Sequence, residues 1–184
     1  MVRHAHHERK ISLATMEFAA RRATESDADA MAEAHRDSIR AIGPRFYPAK
    51  VVDDWCSGID GALYVDAMAR GEVFFVATGT IDGRDVVFGF ASDYRIEGTQ
   101  HGTSVYVRGA VACHGVGSAL LGLAERHGRE RGARTIRIEA SLAGVEFYQR
   151  HGYVELSRGE TRLRSGKAIA VVFMEKRLAE PNHA

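Results

Sequence analysis

The residues best suited to chemistry lie between Val105 and Tyr153. Val105-Tyr106-Val107 reads as a strand, and His114-Gly115-Val116-Gly117-Ser118 opens an amphipathic run soon after it. The first amides of a helix have no intrahelical partner and sit at the positive end of its dipole. A diphosphate can accept several of those hydrogen bonds at once. Gly115 and Gly117 carry no Cβ, so the backbone can approach phosphate oxygens closely, and Ser118 can add a hydroxyl. The turn lacks the Gly-Lys-Ser/Thr of a P-loop and the third glycine of the dinucleotide fingerprint. Downstream, Phe147-Tyr148 lies on a short helical stretch closed by Gly152. A tyrosine hydroxyl, with a pKa of about 10, can hand a proton to a departing thiolate, whose thiol has a pKa of about 8.5. Together the two motifs point to transfer of a group carried on a phosphate-bearing cofactor.

The elements that must position these residues are legible in the hydrophobic pattern. Residues 18–22 read as a short strand, with Thr24 to Asp27 as N-cap candidates. Ala28, Met31, Ala32, His35, Ile39 and Ile42 then recur at helical spacing until Gly43-Pro44. Pro48 opens a second helix carrying Val51, Val52 and Trp55, and residues 62–70 add a further turn or two. Residues 73–77 and 86–92 are strands joined around Asp82-Gly83, a hairpin turn. Residues 103–107 form the next strand. Val116, Ala119, Leu120, Leu123 and His127 mark one face of a helix ending near Gly132. A strand over 134–140, a helix over 142–151 and a closing hairpin from 153–156 and 168–174 complete the chain. Strands before and after the central helices predict an α/β or α+β fold, a mixed sheet with helices on both faces.

Composition bounds the function. The 184 residues suit one domain with a real core. A net charge of +1 supplies no field to recruit nucleic acid or a membrane surface, and no apolar run approaches a membrane span. The two cysteines, Cys56 and Cys113, match no zinc spacing or disulfide framework, so no metal is expected and a reducing cytoplasm is the plain reading. Residues 1–15 read as a His-rich leader with Met16 a candidate start, residues 16–180 as the single domain and 181–184 as a tail.

Taken in order, the motifs resemble the GNAT superfamily of acyl-CoA-dependent N-acyltransferases. The resemblance rests on Gly89-Phe90-Ala91, Val105-Tyr106-Val107, His114 to Leu121, Glu139-Ala140-Ser141, Phe147-Tyr148 with His151-Gly152-Tyr153, and the terminal Phe173 to Leu178. It implies a mostly antiparallel central sheet whose two central strands, 103–107 and 134–140, splay apart to admit a pantetheine arm. It also implies acetyl-CoA as co-substrate. Val105, Tyr106 and Val107 would line the arm, with Val105 and Val107 pairing to its amides. Ala112, Cys113, His114, Gly115, Val116, Gly117 and Ser118 would hold the diphosphate, and Tyr148 would be the general acid. A primary amine of a small-molecule acceptor would attack directly in a ternary complex. Four positions depart from the usual pattern: Ala112 and Cys113 stand where Gln or Arg and then Gly are common, Gly109 replaces a proline, and Ala143 replaces an asparagine.

An amine with a pKa near 10 must lose a proton before attack. His101, Glu97 and Asp93 fall between the third and fourth strands, where a base is expected, and His101 has the best intrinsic pKa. Glu139 is a further candidate. The acceptor site is expected from the first two helices and the C-terminal hairpin, a region that includes Arg40, Arg45, Phe46, Tyr47, Asp53, Asp54, Trp55 and Asp60. Strand 168–174, read as a sheet edge, leaves a homodimer open. The alternative is a non-catalytic acyl-CoA-binding or regulatory module; a third reading is an unrelated phosphate-binding α/β domain.

Overall fold

A computed structural model describes residues 16–179; the leader and tail expectations lie outside the described residues. Alternating apolar and polar residues give eight strands and the 3.6-residue pattern gives five helices. In chain order they are β1 (Ala19–Arg22), α1 (Ala28–Ile42), α2 (Ala49–Cys56), α3 (Gly61–Ala69), β2 (Val73–Ile81), β3 (Arg84–Glu97), β4 (Gln100–Gly102), β5 (Val105–Val107), α4 (Val116–Glu130), β6 (Thr135–Ser141), α5 (Val145–Arg150), β7 (Val154–Arg162) and β8 (Ala168–Arg177). The sheet runs β1-β2-β3-β4-β6-β8-β7, with β5 also paired to β3. Every pairing is antiparallel except that of β4 with β6. The expected mixed, mostly antiparallel sheet with helices on both faces is therefore the observed one.

Strand alternation sends side chains to two faces. On one, Phe74, Val76 and Phe90 pack with Met31, Ala32 and Ile39 of α1, Val52 of α2 and Tyr64 of α3. On the other, Val73, Phe75, Phe88 and Ala91 meet Val116, Leu120 and Ala124 of α4. Ile138, Ala140, Val172 and Met174 meet Leu121 of α4 and Tyr148 of α5. The β2–β3 turn uses Asp82 at φ 50° and Gly83 at φ 75°, the two left-handed positions that a two-residue hairpin requires.

The structure corrects two boundaries and one placement. β3 continues five residues past Ser92, to Glu97, so Asp93 and Glu97 are on a strand rather than in a loop. Of the strand expected at 103–107 only 105–107 forms, as β5; β4, over 100–102, precedes it, with a break at Thr103 and Ser104. Residues 168–174 are not an edge, because β7 folds back outside them and occupies that position itself.

His35 shows how burial sets the acid response of the fold. Its ring is wedged against Tyr106 with centroids 3.7 Å apart, and Nδ1 lies 2.7 Å from the Tyr64 hydroxyl. Burial, helped by the nearby Arg36 charge, pushes its pKa down to about 3. Above the unfolded value of about 6.5 the ring is neutral in both states and contributes no pH dependence. Below it the unfolded chain binds a proton that the folded chain refuses, so stability falls by about 1.4 kcal/mol per pH unit from about 6.5 toward 3. In His35→Gln, denaturant unfolding between pH 6.5 and 4 is expected to lose one proton's worth of this slope. An unchanged slope would show that His35 is protonated in the native state.

Candidate active site

The sheet forks at its centre. β4 pairs with β6 through Gln100, His101 and Gly102, whereas β5 pairs with β3 alone among the described residues. At the fork the Thr103 hydroxyl donates to the Ser92 carbonyl at 2.6 Å. On β3 and β5, the Ser92 amide donates to the Ser104 carbonyl at 3.0 Å and the Arg108 amide to the Phe88 carbonyl at 2.8 Å. Backbone groups of Ser104 and Arg108 thus face β3, and alternation turns those of Val105 and Val107 into the gap. Across it, β6 is paired to β8 along its whole length but to β4 only as far as Arg137. The gap is therefore walled by two strand edges with free hydrogen-bonding groups, a slot for an extended, amide-bearing chain.

Tyr148 reaches this slot from the α4–α5 side. Gly144 starts α5, and the side chain is 7% exposed, packed edge-on against Phe147 and Tyr153 at 5.1 and 5.4 Å between centroids. Burial raises its pKa, with the neighbouring Tyr106 adding to the rise and a hydrogen bond from the Val105 amide opposing it. The hydroxyl is held protonated and is anchored at the residue whose backbone lines the gap.

The turn before α4 is an open cradle. Gly115 caps the helix at φ 83°, and a Cβ there would meet nothing within 4 Å. Cys113 adopts φ 64°, a left-handed conformation disfavoured by about 1–2 kcal/mol for a residue with a Cβ. Gly117 abuts Phe147, where an added Cβ would lie 3.2 Å from the ring. The His151 Nδ1–H donates to the Phe147 carbonyl at 2.7 Å, so neutral Nε2 accepts from the Ser118 hydroxyl at 2.9 Å. These contacts fix α5, and with it Tyr148, to the first turn of α4. The departure at Gly109 has a local cause. Its amide, which proline lacks, donates to Asp37 Oδ1 at 2.8 Å, and a Cβ would come within 2.4 Å of Ala41. An outward-facing helix start behind the unhindered Gly115 fits a diphosphate.

Cys113 is a free, exposed cysteine. In Cys113→Ala most turnover is expected to persist at saturating co-substrate. A loss above about tenfold would favour a covalent route over direct transfer.

His101 lies elsewhere than expected. It is 1% exposed, on the sheet face that meets α4, with Nδ1 2.6 Å from Asp93 Oδ1. His127 of α4 takes the other carboxylate oxygen at 2.8 Å. A carboxylate accepts only, so both Nδ1 atoms donate and both tautomers are fixed. Asp93 pins β4 and α4 together, and His101 is closed to an incoming amine. The expectation that His101 serves as the base does not survive this burial.

Comparison with known proteins now has geometry to meet. Residues 70–155, which span β2 to the start of β7 and hold the fork, the turn and Tyr148, match the acetyltransferase (GNAT) domain family model. That stretch is a GNAT acetyltransferase domain. A GCN5-related N-acetyltransferase from Rhodopseudomonas palustris is 27% identical, with a TM-score of 0.75 over 90% of this chain and 99% of that one. The PaiA N-acetyltransferase of Thermoplasma acidophilum, solved with coenzyme A, is 18% identical, with a TM-score of 0.71 over 89% of this chain and 100% of that one. YncA of Salmonella typhimurium, solved with acetyl-CoA, is 21% identical, with a TM-score of 0.63 over 90% of this chain and 96% of that one. No curated protein matches the chain. Among the described residues no helix is long and apolar enough to cross a membrane, and no group of three or more His, Cys, Asp or Glu side chains is placed to hold a metal ion.

The GNAT fold also brings together side chains on the opposite face of the fork. Ser92 pairs with Phe74 across β2, and Tyr94 with Gly102 across β4, so that the ring of Tyr94 occupies the space a Gly102 Cβ would fill. The Ser92 and Ser104 hydroxyls are 3.0 Å apart. Tyr94 feels the carboxylates of both Glu72 and Glu139, which help burial raise its pKa. Glu72, immediately before β2, was not singled out from the sequence; a lone glutamate before a strand carries no signal until the fold sets it beside β3. From the expected acceptor region, Tyr47 donates to the Ala170 carbonyl at 2.8 Å and accepts from the Leu142 amide at 2.7 Å. Asp54 pairs with Lys167 at 2.9 Å, and Trp55 stands edge-on to Tyr47 at 5.7 Å. α2 and the β7–β8 hairpin thus close over one end of the fork, while Phe46 is 47% exposed.

Proposed function

We propose that this GNAT acetyltransferase is an N-acetyltransferase that moves the acetyl group of acetyl-CoA to a primary amine of a small-molecule acceptor in the cytoplasm. The observation that carries the reading is the fork itself, with the backbone edge of Val105 and Val107 turned toward β6 and Tyr148 buried in the cluster that packs against Val105. When bound, acetyl-CoA supplies an activated acetyl thioester. Val105, Tyr106 and Val107 would line its pantetheine arm; the Ala112 amide is taken by the Gly109 carbonyl, so the amides from Cys113 to Ser118 would hold its diphosphate. The Val107 amide can polarise the thioester carbonyl. Tyr148, kept protonated by burial, gives its proton to the departing sulfur. The two relatives solved with coenzyme A and acetyl-CoA support this choice of co-substrate.

The acceptor is open to a direct screen. Primary amines are incubated with acetyl-CoA, and thiol release is followed beside the mass of the acetylated product. Acetylation of at least one amine, lost in Tyr148→Phe, is the expected result. Acetyl-CoA binding with no turnover across a broad amine set would instead favour a binding or regulatory module.

A further inference from the structure

Resting on the N-acetyltransferase reading, we propose that Glu72 is the proton acceptor for the incoming amine, reached through the hydroxyls of Ser104 and Ser92, and that the acceptor is recognised as a cationic amine between Glu72 and Glu139.

The argument starts from the two faces of the sheet. Tyr148 reaches the gap from the α4–α5 face, where its ring packs with Tyr153 and Leu121 belongs to the same cluster. An amine attacking opposite the leaving sulfur must then come from the α1–α3 face. Antiparallel register puts Phe74 opposite Ser92, and Tyr106 opposite Phe90, so the side chains of Ser92, Ser104 and Tyr106 share that face. His101 and Asp93 are on the other. The Ser92 hydroxyl, on a residue with no exposed surface, is 3.0 Å from the Ser104 hydroxyl, and the pairing of Val73 with Asp93 and of Phe74 with Ser92 sets Glu72 on the same face, diagonal to Ser92, where that hydroxyl helps hold its carboxylate ionised. Ser104 immediately precedes Val105, the anchor of the Tyr148 hydroxyl. The chain Glu72-Ser92-Ser104 therefore ends one residue from the proposed proton donor, with acceptor and donor on opposite sides of the fork.

The electrostatics agree with the geometry. Burial raises the Glu72 pKa, and the Asp93 charge adds to that rise, while the Ser92 hydroxyl and Arg70 oppose it. A carboxylate moved toward neutrality is a better match for general-base work than an ordinary glutamate. Glu139, on β6 across the fork, acts on Tyr94 together with Glu72, so an ammonium group entering beside Tyr94 meets negative charge from both strands. The step balances. One N–H bond of the ammonium breaks, and its proton passes along the Ser104 and Ser92 hydroxyls to form an O–H bond on Glu72. The freed nitrogen pair forms the C–N bond, and the C–S pair leaves with sulfur, which takes the Tyr148 proton. The surplus proton on the new amide nitrogen restores Tyr148 through solvent, and Glu72 releases its own to bulk.

The test compares wild type, Glu72→Gln, Glu72→Asp and Ser92→Ala, with Glu130→Gln at the exposed end of α4 as control. Calorimetry reads acetyl-CoA affinity, carboxyl carbon-13 NMR reads the Glu72 titration, and n-butylamine is the acceptor probe. We expect acetyl-CoA affinity to hold within about twofold in all variants while kcat/KM for butylamine falls about a hundredfold in Glu72→Gln and partly recovers in Glu72→Asp. The acidic limb of the wild-type pH profile should coincide with the NMR titration, and Ser92→Ala should move that titration further up. Glu72→Gln within about threefold of wild type, or Glu72 titrating at about 4.3 in the loaded protein, overturns the proposal. Wild type that binds acetyl-CoA yet never acetylates butylamine overturns it too, through the amine-transfer reading and not through Glu72.

Discussion

Tyr148→Phe is expected to lower kcat by about 10²–10⁴-fold while acetyl-CoA binds as in wild type. The substitution removes one oxygen from a side chain that is 7% exposed and keeps the ring contacts with Phe147 and Tyr153, so the fold is left intact. What is lost is the proton available at Val105. Because burial raises the Tyr148 pKa, the hydroxyl is a donor throughout the neutral range and its own titration falls above that range. The loss should therefore be uniform with pH, lowering the whole rate profile without moving its acidic limb. Stopped-flow thiol release from acetyl-CoA across pH 6–9, with calorimetric affinity alongside, checks both halves. A variant with unaltered kcat would remove Tyr148 from the reaction; one with weakened co-substrate binding and unaltered kcat would make it a binding residue.

Asp93→Ala should carry the largest stability cost at a polar position, about 3–5 kcal/mol. Asp93 is 3% exposed and joins His101 of β4 to His127 of α4, with Gly128 leaving room for its carboxylate at 3.0 Å from where a Cβ would stand. Removing it strands the buried His101 ring, whose Nε2 already lacks a partner among the described residues. It also releases α4 from the strand that sets the fork. For a domain of this length each kcal/mol moves Tm by about 2–4 °C, so a fall of roughly 6–20 °C is expected by calorimetry. His127→Ala should cost less, since that side chain is 18% exposed and water can replace it. A loss below about 1 kcal/mol in Asp93→Ala would mean that packing of α4 alone fixes the fork.

These two residues show which parts of the molecule were legible in its sequence. Tyr148 stood out because a short helix, a closing glycine and a preceding strand isolate it. α4 was legible through Val116, Leu120 and Leu123, and the hairpin through Asp82-Gly83, because local geometry alone dictates them. Asp93 and His101 were singled out for the wrong reason. The run after Ser92, Asp-Tyr-Arg-Ile-Glu, alternates charge with aromatic and aliphatic residues and is exposed from Tyr94 onward, so nothing in it announces a strand. Gln100-His101-Gly102 has no strand propensity of its own; β3 and β6 impose the ladder from either side, and the Tyr94 ring requires the glycine. β7 is mostly polar because it is the edge, with Val154 and Leu156 its exposed apolar exceptions. Glu72 depended wholly on pairing between distant segments and could not be read before the fold was known.

Calorimetric titration with acetyl-CoA, beside free CoA and ATP, tests the central claim most directly. The fork, the open turn at Gly115 and the anchored Tyr148 predict a dissociation constant of roughly 50 μM or tighter for acetyl-CoA, with ATP far weaker. An absence of binding at millimolar acetyl-CoA, or equal binding of ATP, would contradict it and leave the slot between β5 and β6 without its proposed occupant.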